Sequence, residues 1–137
     1  TRSFDYVVML QVTSPLRDKH DINSCLELIA SSGCDAVWTV SPTDLHYHPL
    51  KQLVIGEGSQ LSFYEKKGME IVARQQLEPV FHRNGCCYVV RRDHLVESNT
   101  TFASGSTLAV VSAGVRLSID TEDDLVVAER LLKGSER

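Results

Sequence analysis

Apolar and polar positions divide the chain into short runs. Residues 4–10, FDYVVML, are too few for a helix and rich in β-formers, so they predict a buried strand. Pro15 lacks an N–H and stops a ladder, so the strand ends in a loop. Over residues 18–32, Ile22, Cys25 or Leu26, and Ile29 recur at helical spacing, and Gly33 suits a C-terminal cap. Residues 35–40, DAVWTV, predict a second buried strand ended by Ser41-Pro42. Strand, helix and strand make a βαβ unit, which implies parallel pairing with a right-handed crossover. Ligands of open α/β sheets bind outside the carboxyl ends of the strands. That rule points at residues 11–17 and at the segment after Pro42.

The middle of the chain has another character. Residues 52–55 and 60–63 flank Gly56-Glu57-Gly58-Ser59, which predicts a hairpin. Residues 64–80 are charged and aperiodic and read as loop, with room for short strands. A long excursion from an α/β layer often serves a site or a partner subunit. Regular structure returns with a strand at 85–90, a short helix at 93–96, and strands at 107–112 and 115–119. Thr121 then caps a helix beginning Glu122-Asp123-Asp124, with Leu125, Ala128, Leu131 and Leu132 as its buried stripe.

Composition narrows the function classes. A chain of 137 residues fits one domain with a core of its own. Its formal charge of -4 disfavours nucleic acid and anionic membranes as partners, since both attract basic patches. No apolar run approaches a membrane span, and no signal peptide opens the sequence. Beginning almost at once with a core strand, the chain reads as part of a larger domain. Cys25, Cys34, Cys86 and Cys87 show no metal-binding spacing and read as reduced thiols of a cytoplasmic protein. Adjacent Cys86 and Cys87 would point to opposite faces of their strand.

Several residues carry candidate chemistry, each with a plainer alternative. Asp120 follows the 115–119 strand, where a carboxylate would meet Mg²⁺ on the ligand side of a sheet; equally, it would help cap the next helix. Gln11, Thr13 and Ser14 offer amide and hydroxyl groups to a polyol, or form an ordinary polar turn. Lys51 and Arg74 suit phosphate or carboxylate, or are solvated surface cations. His46 and His48 lack a third metal ligand. Tyr88 alternates with Cys86 and fits a site or plain core. No phosphate-binding glycine loop, nucleophile elbow or Ser-His-Asp order occurs within these residues.

In order along the chain, LQVTSPLR at 10–17, HPLK at 48–51, RQQL at 74–77, NGCCYV at 84–89 and SIDTEDDL at 118–125 resemble the acylneuraminate cytidylyltransferases, or CMP-sialic acid synthetases. The resemblance covers nearly the whole chain. It implies a three-layer, Rossmann-like α/β nucleotidyltransferase sheet, incomplete here, as the carboxy-terminal part of one domain over residues 1–137. Residues 46–80 would be an extended dimerisation segment of a homodimer. The implied reaction transfers CMP from CTP to the anomeric hydroxyl of an acidic nine-carbon sugar and releases pyrophosphate, with Mg²⁺ as cofactor. The isolated chain is expected to be inactive. By resemblance, Asp120 would hold the metal, and Arg74 and Lys51 would face charge. Gln11, Ser14, Lys51, Arg74, Gln75, Asn84 and Tyr88 would surround the sugar, with Phe102 on its apolar side. Relatives acting on legionaminic, pseudaminic or Kdo-type acids share this chemistry. The chain departs from the family in two ways: it has no basic glycine-rich CTP loop, and Ser118 stands where the family usually has a second aspartate. A non-catalytic binding or dimerisation module derived from the family is the alternative.

Overall fold

A computed structural model describes residues 3–134 and divides into two compact units. The first comprises residues up to 41 and from 83 onward; the second is residues 42–82.

The first unit is a mixed sheet with helices. Its strands are β1 (Tyr6–Met9), β2 (Ala36–Pro42), β5 (Phe81–Arg91) and β6 (Thr107–Val111), numbered around a hairpin in the second unit. Its helices are α1 (Lys19–Ser32), α2 (Arg92–Ser98) and α3 (Glu122–Gly134). The strand order is β1-β5-β2-β6. β1 and β2 are therefore not direct partners, against the pairing expected of an adjacent βαβ unit. Strand β5 lies between them and runs antiparallel to β1, pairing Val7 with Val90 and Met9 with Tyr88. The physical reason is burial. Cys86 to Val90 form a continuous apolar run with every residue buried, and such a strand needs a neighbour on each side and cover on both faces. Parallel pairing does occur, between β2 and β6.

Val37, Cys87 and Val89 pack under Cys25 and Ile29 of α1, with Cys34 completing the cluster. The alternation that turns Cys87 toward α1 turns Cys86 and Tyr88 to the opposite face, beside Trp38. All four cysteines are buried and outside disulfides. A side-chain hydrogen bond with Cys87, with burial, pushes the Cys25 thiol up and keeps it protonated.

Helix starts follow the local sequence. Asp18 caps α1 by accepting the His20 N–H, and Asp21 reaches back to the Asp18 N–H at 3.3 Å. At α3, Thr121 and Asp124 form the reciprocal box, with Asp124 accepting the Thr121 N–H at 2.8 Å. Two expectations fail in this region. Residues 115–119 form no strand, despite their perfect alternation. The Ile119 N–H goes to Thr13 O at 2.8 Å and the Arg116 side chain to α1, so the segment is held from outside any ladder. On α3 only Ala128 is buried; Leu125, Leu131 and Leu132 remain at least one-third exposed, because the amphipathic pattern states which face wants cover and does not supply it.

The second unit contains β3 (Leu53–Ile55) and β4 (Leu61–Phe63), paired antiparallel as the turn chemistry predicts. The loop expected over residues 64–80 contains 3-10 turns at Lys66–Glu70 and Arg74–Gln76, and two more precede the hairpin at Leu45–Tyr47 and Pro49–Lys51. His48 is buried and closes one of them, accepting the Leu50 N–H at Nδ1 while Nε2 donates to Glu78 O. This leaves neither ring nitrogen for a metal. Both strands are exposed along their length, and a lone two-stranded ribbon is marginal in water.

Three cap carboxylates give an acid signature. The His20 N–H lowers the Asp18 pKa, the His46 N–H lowers that of Asp44, and the Thr121 hydroxyl lowers that of Asp124, each below its ordinary 3.8. A depressed folded-state value stabilises above the unfolded one and stops doing so as pH falls through the folded one. Carboxyl NMR titration should therefore place all three midpoints below 3.8. Midpoints at or above it would exclude these caps.

Candidate active site

The candidate site begins at the end of β1. After Met9 the chain leaves the sheet, and the Gln11 N–H donates to Gly85 O at 3.3 Å. Ser14 donates from its hydroxyl to Asn84 O at 3.0 Å and is buried. Arg17 clips the same turn, with Nε on Ser14 O at 3.1 Å and a second nitrogen on Gln11 O. This frame holds the Gln11 side chain at the surface beside Gly85. Gly85 has φ +70°, and a Cβ there would run into Gln11 Oε1 and Ser14 Oγ. The asparagine-glycine pair thus does more than turn the chain: its glycine makes room for the loop.

Beneath the loop, Asn84 is fully occupied. Its Nδ2 donates to Ser41 Oγ at 3.0 Å and Ser112 Oγ at 2.9 Å. Its Oδ1 accepts from the Thr39 hydroxyl at 2.7 Å and the Cys86 N–H at 3.1 Å. Two amide donors and two acceptor sites are all used, so Asn84 ties β2, β5 and β6 together at one end. Ser14 and Asn84, both expected at the sugar, spend their polar groups inside the protein. Tyr88 is also buried, and its hydroxyl accepts the Gly85 N–H at 3.1 Å.

Beside Tyr88 and Phe102, both expected at the sugar, lie Trp38 and Arg83, which sequence reasoning missed. The Trp38 ring sits 4.8 Å from Tyr88 and 5.3 Å from Phe102, centroid to centroid. Its indole N–H donates to Thr101 O at 2.9 Å, and the Arg83 guanidinium lies 5.7 Å above its ring. Phe102 is half exposed and gives this end of the sheet an apolar surface. Trp38 was readable only as a strand residue; its place between two aromatics 50 and 64 positions later depends on the strand order.

Asp120 lies one residue beyond a contact with the same loop. It follows no strand, but the Ile119 N–H on Thr13 O joins its segment to the loop carrying Gln11 and Ser14. Its backbone N–H joins the α3 cap through Asp124 at 3.1 Å. Its carboxylate is exposed and enters no hydrogen bond or ion pair among the described residues. Asp124, by contrast, is spent on the cap. Among the described residues no three of His, Cys, Asp or Glu gather to hold a metal. This donor set fits a hard cation held by one carboxylate together with substrate oxygens, and does not fit an all-protein cage.

Within the second unit, Lys51 and Arg74 line one pocket of about 380 Å³, with Leu50, Phe63, Ile71 and Leu77 as apolar walls. Gln75 is exposed at its turn, whereas Gln76 caps that turn through the Val72 and Ala73 N–H groups, both at 2.8 Å.

No protein-family model matches the chain. It is 30% identical over 121 residues to an N-acylneuraminate cytidylyltransferase of Streptococcus agalactiae, across 87% of this chain and 28% of that protein. It is 28% identical over 132 residues to the CMP-N,N'-diacetyllegionaminic acid synthase of Legionella pneumophila, across 95% of this chain and 55% of that one. The chain is a homologue of the acylneuraminate cytidylyltransferases.

The post-translational flagellin modification protein B of Campylobacter coli is similar too, at 23% identity over 95% of this chain and 54% of its own length. The chain thus spans from 28% to 55% of the length of these relatives. A solved structure of CMP:2-keto-3-deoxy-manno-octonic acid synthetase complexed with CTP matches 96% of the chain with a TM-score of 0.61 at 14% identity. That likeness establishes the α/β fold of this cytidylyltransferase homologue. No helix among its described residues is long and apolar enough to cross a membrane.

Proposed function

We propose that the protein is a CMP-sugar synthetase that transfers CMP from CTP to the anomeric hydroxyl of an acidic nine-carbon sugar and releases pyrophosphate. The observation that carries this reading is that two segments bond to the backbone of the loop carrying Gln11: Ile119, next to Asp120, donates to Thr13 O, and Gly85, whose N–H the Tyr88 hydroxyl accepts, takes the Gln11 N–H. Gln11 presents an amide to sugar hydroxyls, and Phe102 with Trp38 offers the apolar side. Asp120 would hold Mg²⁺, which when bound supplies charge neutralisation at the reacting phosphorus. Ser118 adds a neutral oxygen where a carboxylate would bind harder, so the cation is expected to bind with the nucleotide and weakly without it.

Lys51 and Arg74, which line one pocket of the second unit, are proposed as cations for a carboxylate or phosphate group. Residues 46–80 are proposed as a dimerisation segment. Support comes from the exposed apolar residues Ile55, Leu61, Tyr64 and Met69 in a unit too small to cover them. The relatives' names support an acidic-sugar nucleotide product, of sialic or legionaminic type. A cytoplasmic location fits such chemistry and the buried reduced thiols. Ser118, a neutral oxygen where the family usually has a second aspartate, favours the second reading, a non-catalytic module of the same fold.

A pyrophosphate-release assay decides between them. With the protein as produced from its gene, CTP, Mg²⁺ and a panel of acidic sugars, release is expected with a nine-carbon acid and not without sugar. Silence across the panel would leave the module.

A further inference from the structure

Between the end of β6 and the start of α3 the chain runs from residue 112 to residue 121 without helix or strand. Asp120 sits near the end of that stretch. A ligand-bearing side chain must be held to within a fraction of an ångström by its support, and loops do this poorly unless anchored. The anchors here are few. The Ser112 N–H donates to Val40 O at 2.9 Å, which fixes only the beginning. The Ile119 N–H donates to Thr13 O at 2.8 Å, which fixes the end.

Between these two lies a buried ion pair. Arg116 donates from Nε to Asp21 Oδ2 at 3.0 Å, and its Nη2 lies 2.9 Å from the same oxygen. The side chains are 9% and 5% exposed. A third guanidinium nitrogen donates to Val115 O at 3.1 Å, stiffening the segment's own backbone. Asp21 is itself fixed, because it belongs to the α1 cap and accepts the Asp18 N–H. The pair therefore joins the segment carrying Asp120 to the first turn of the helix that follows the Gln11 loop. A buried pair is weak evidence for stability, since well-packed apolar residues often replace one without loss. Its geometric effect is specific: it fixes one register of residues 113–119 against α1.

We propose that the Arg116–Asp21 pair is a positioning device for Asp120, setting the carboxylate against the Gln11 loop for a cation bound with the nucleotide. The proposal rests on the reading of Asp120 as a metal ligand. Arg116 and Asp21 act through the backbone of residues 117–119 and touch neither metal nor substrate.

The test uses the protein as produced from its gene, with the double substitution Asp21→Asn and Arg116→Met. Asparagine keeps the oxygen that caps α1 and removes the buried carboxylate, while methionine removes the guanidinium, so neither charge is left uncompensated. Hydrogen exchange should show faster exchange of the Ile119 amide. Mn²⁺ affinity in the presence of CTP, read by electron paramagnetic resonance, should fall about 10–100-fold, as for outer-shell partners of metal ligands. The KM for Mg²⁺ should rise with it, while kcat recovers at saturating metal. Arg116→Lys, which keeps the charge and loses the fork, should give an intermediate Mn²⁺ affinity, and it reads the same quantities if the double variant does not fold. Unchanged Mn²⁺ affinity, with or without faster Ile119 exchange, overturns the proposal alone. A wild-type protein that binds no Mn²⁺ beside CTP overturns the metal reading, and the proposal with it.

Discussion

Asp120→Asn is expected to lower turnover by on the order of 100-fold or more, since even outer-shell partners of metal ligands cost 10–100-fold. Stability should move by no more than about 0.5 kcal/mol, the ordinary range for an exposed substitution. The two effects separate because different atoms carry them. The backbone N–H of Asp120 joins the α3 cap, and asparagine keeps it. The carboxylate is exposed and unengaged, so folding does not depend on its charge. Asparagine retains one oxygen of similar reach and loses the negative charge that a hard cation prefers. Steady-state kinetics with thermal melts of both proteins check the separation. Activity near wild type would make Asp120 a cap neighbour and nothing more.

Gly85→Ala should act on stability and geometry together. The residue has φ +70°, where an L side chain costs about 1–2 kcal/mol. The new methyl also meets Gln11 Oε1 and Ser14 Oγ, and overpacking of this kind costs about 1–3 kcal/mol. The total is about 2–5 kcal/mol. Gly105 is the internal control. Its φ is +76°, and a Cβ there meets nothing within 4 Å, so Gly105→Ala carries the backbone strain without the collision. The difference between the two variants in urea unfolding isolates the clash. Equal losses would show that the Gln11 loop does not rest on Gly85. Because the collision displaces Gln11 itself, the KM for sugar should rise in Gly85→Ala and stay near wild type in Gly105→Ala.

Much of this architecture is local chemistry and was legible along the chain. The α1 cap, its glycine end and the reciprocal Thr121–Asp124 box follow from residues within a turn of one another. The β3–β4 hairpin follows from a glycine-rich turn between apolar triplets. Residues 115–119 show where such reading stops. Alternation makes them fit for a strand, but a strand also needs a partner edge, and the Ile119 N–H goes to Thr13 O while the Arg116 side chain goes to Asp21. The candidate site divides in the same way. The motifs marked Gln11, Asn84, Tyr88 and Asp120, yet a motif does not say whether an amide faces a ligand or three neighbouring strands.

The sequence by itself determined the elements, their caps and turns, and the ordered motifs of the cytidylyltransferase homologues, because each depends on residues a few positions apart. Only the tertiary structure decided that β5 separates β1 from β2. It also decided that Asn84 spends its amide on a buried network, that Trp38 joins Tyr88 and Phe102, and that Arg116 grips Asp21 across 95 positions. Those outcomes depend on which buried groups must share partners once water is excluded, and no local pattern contains that information.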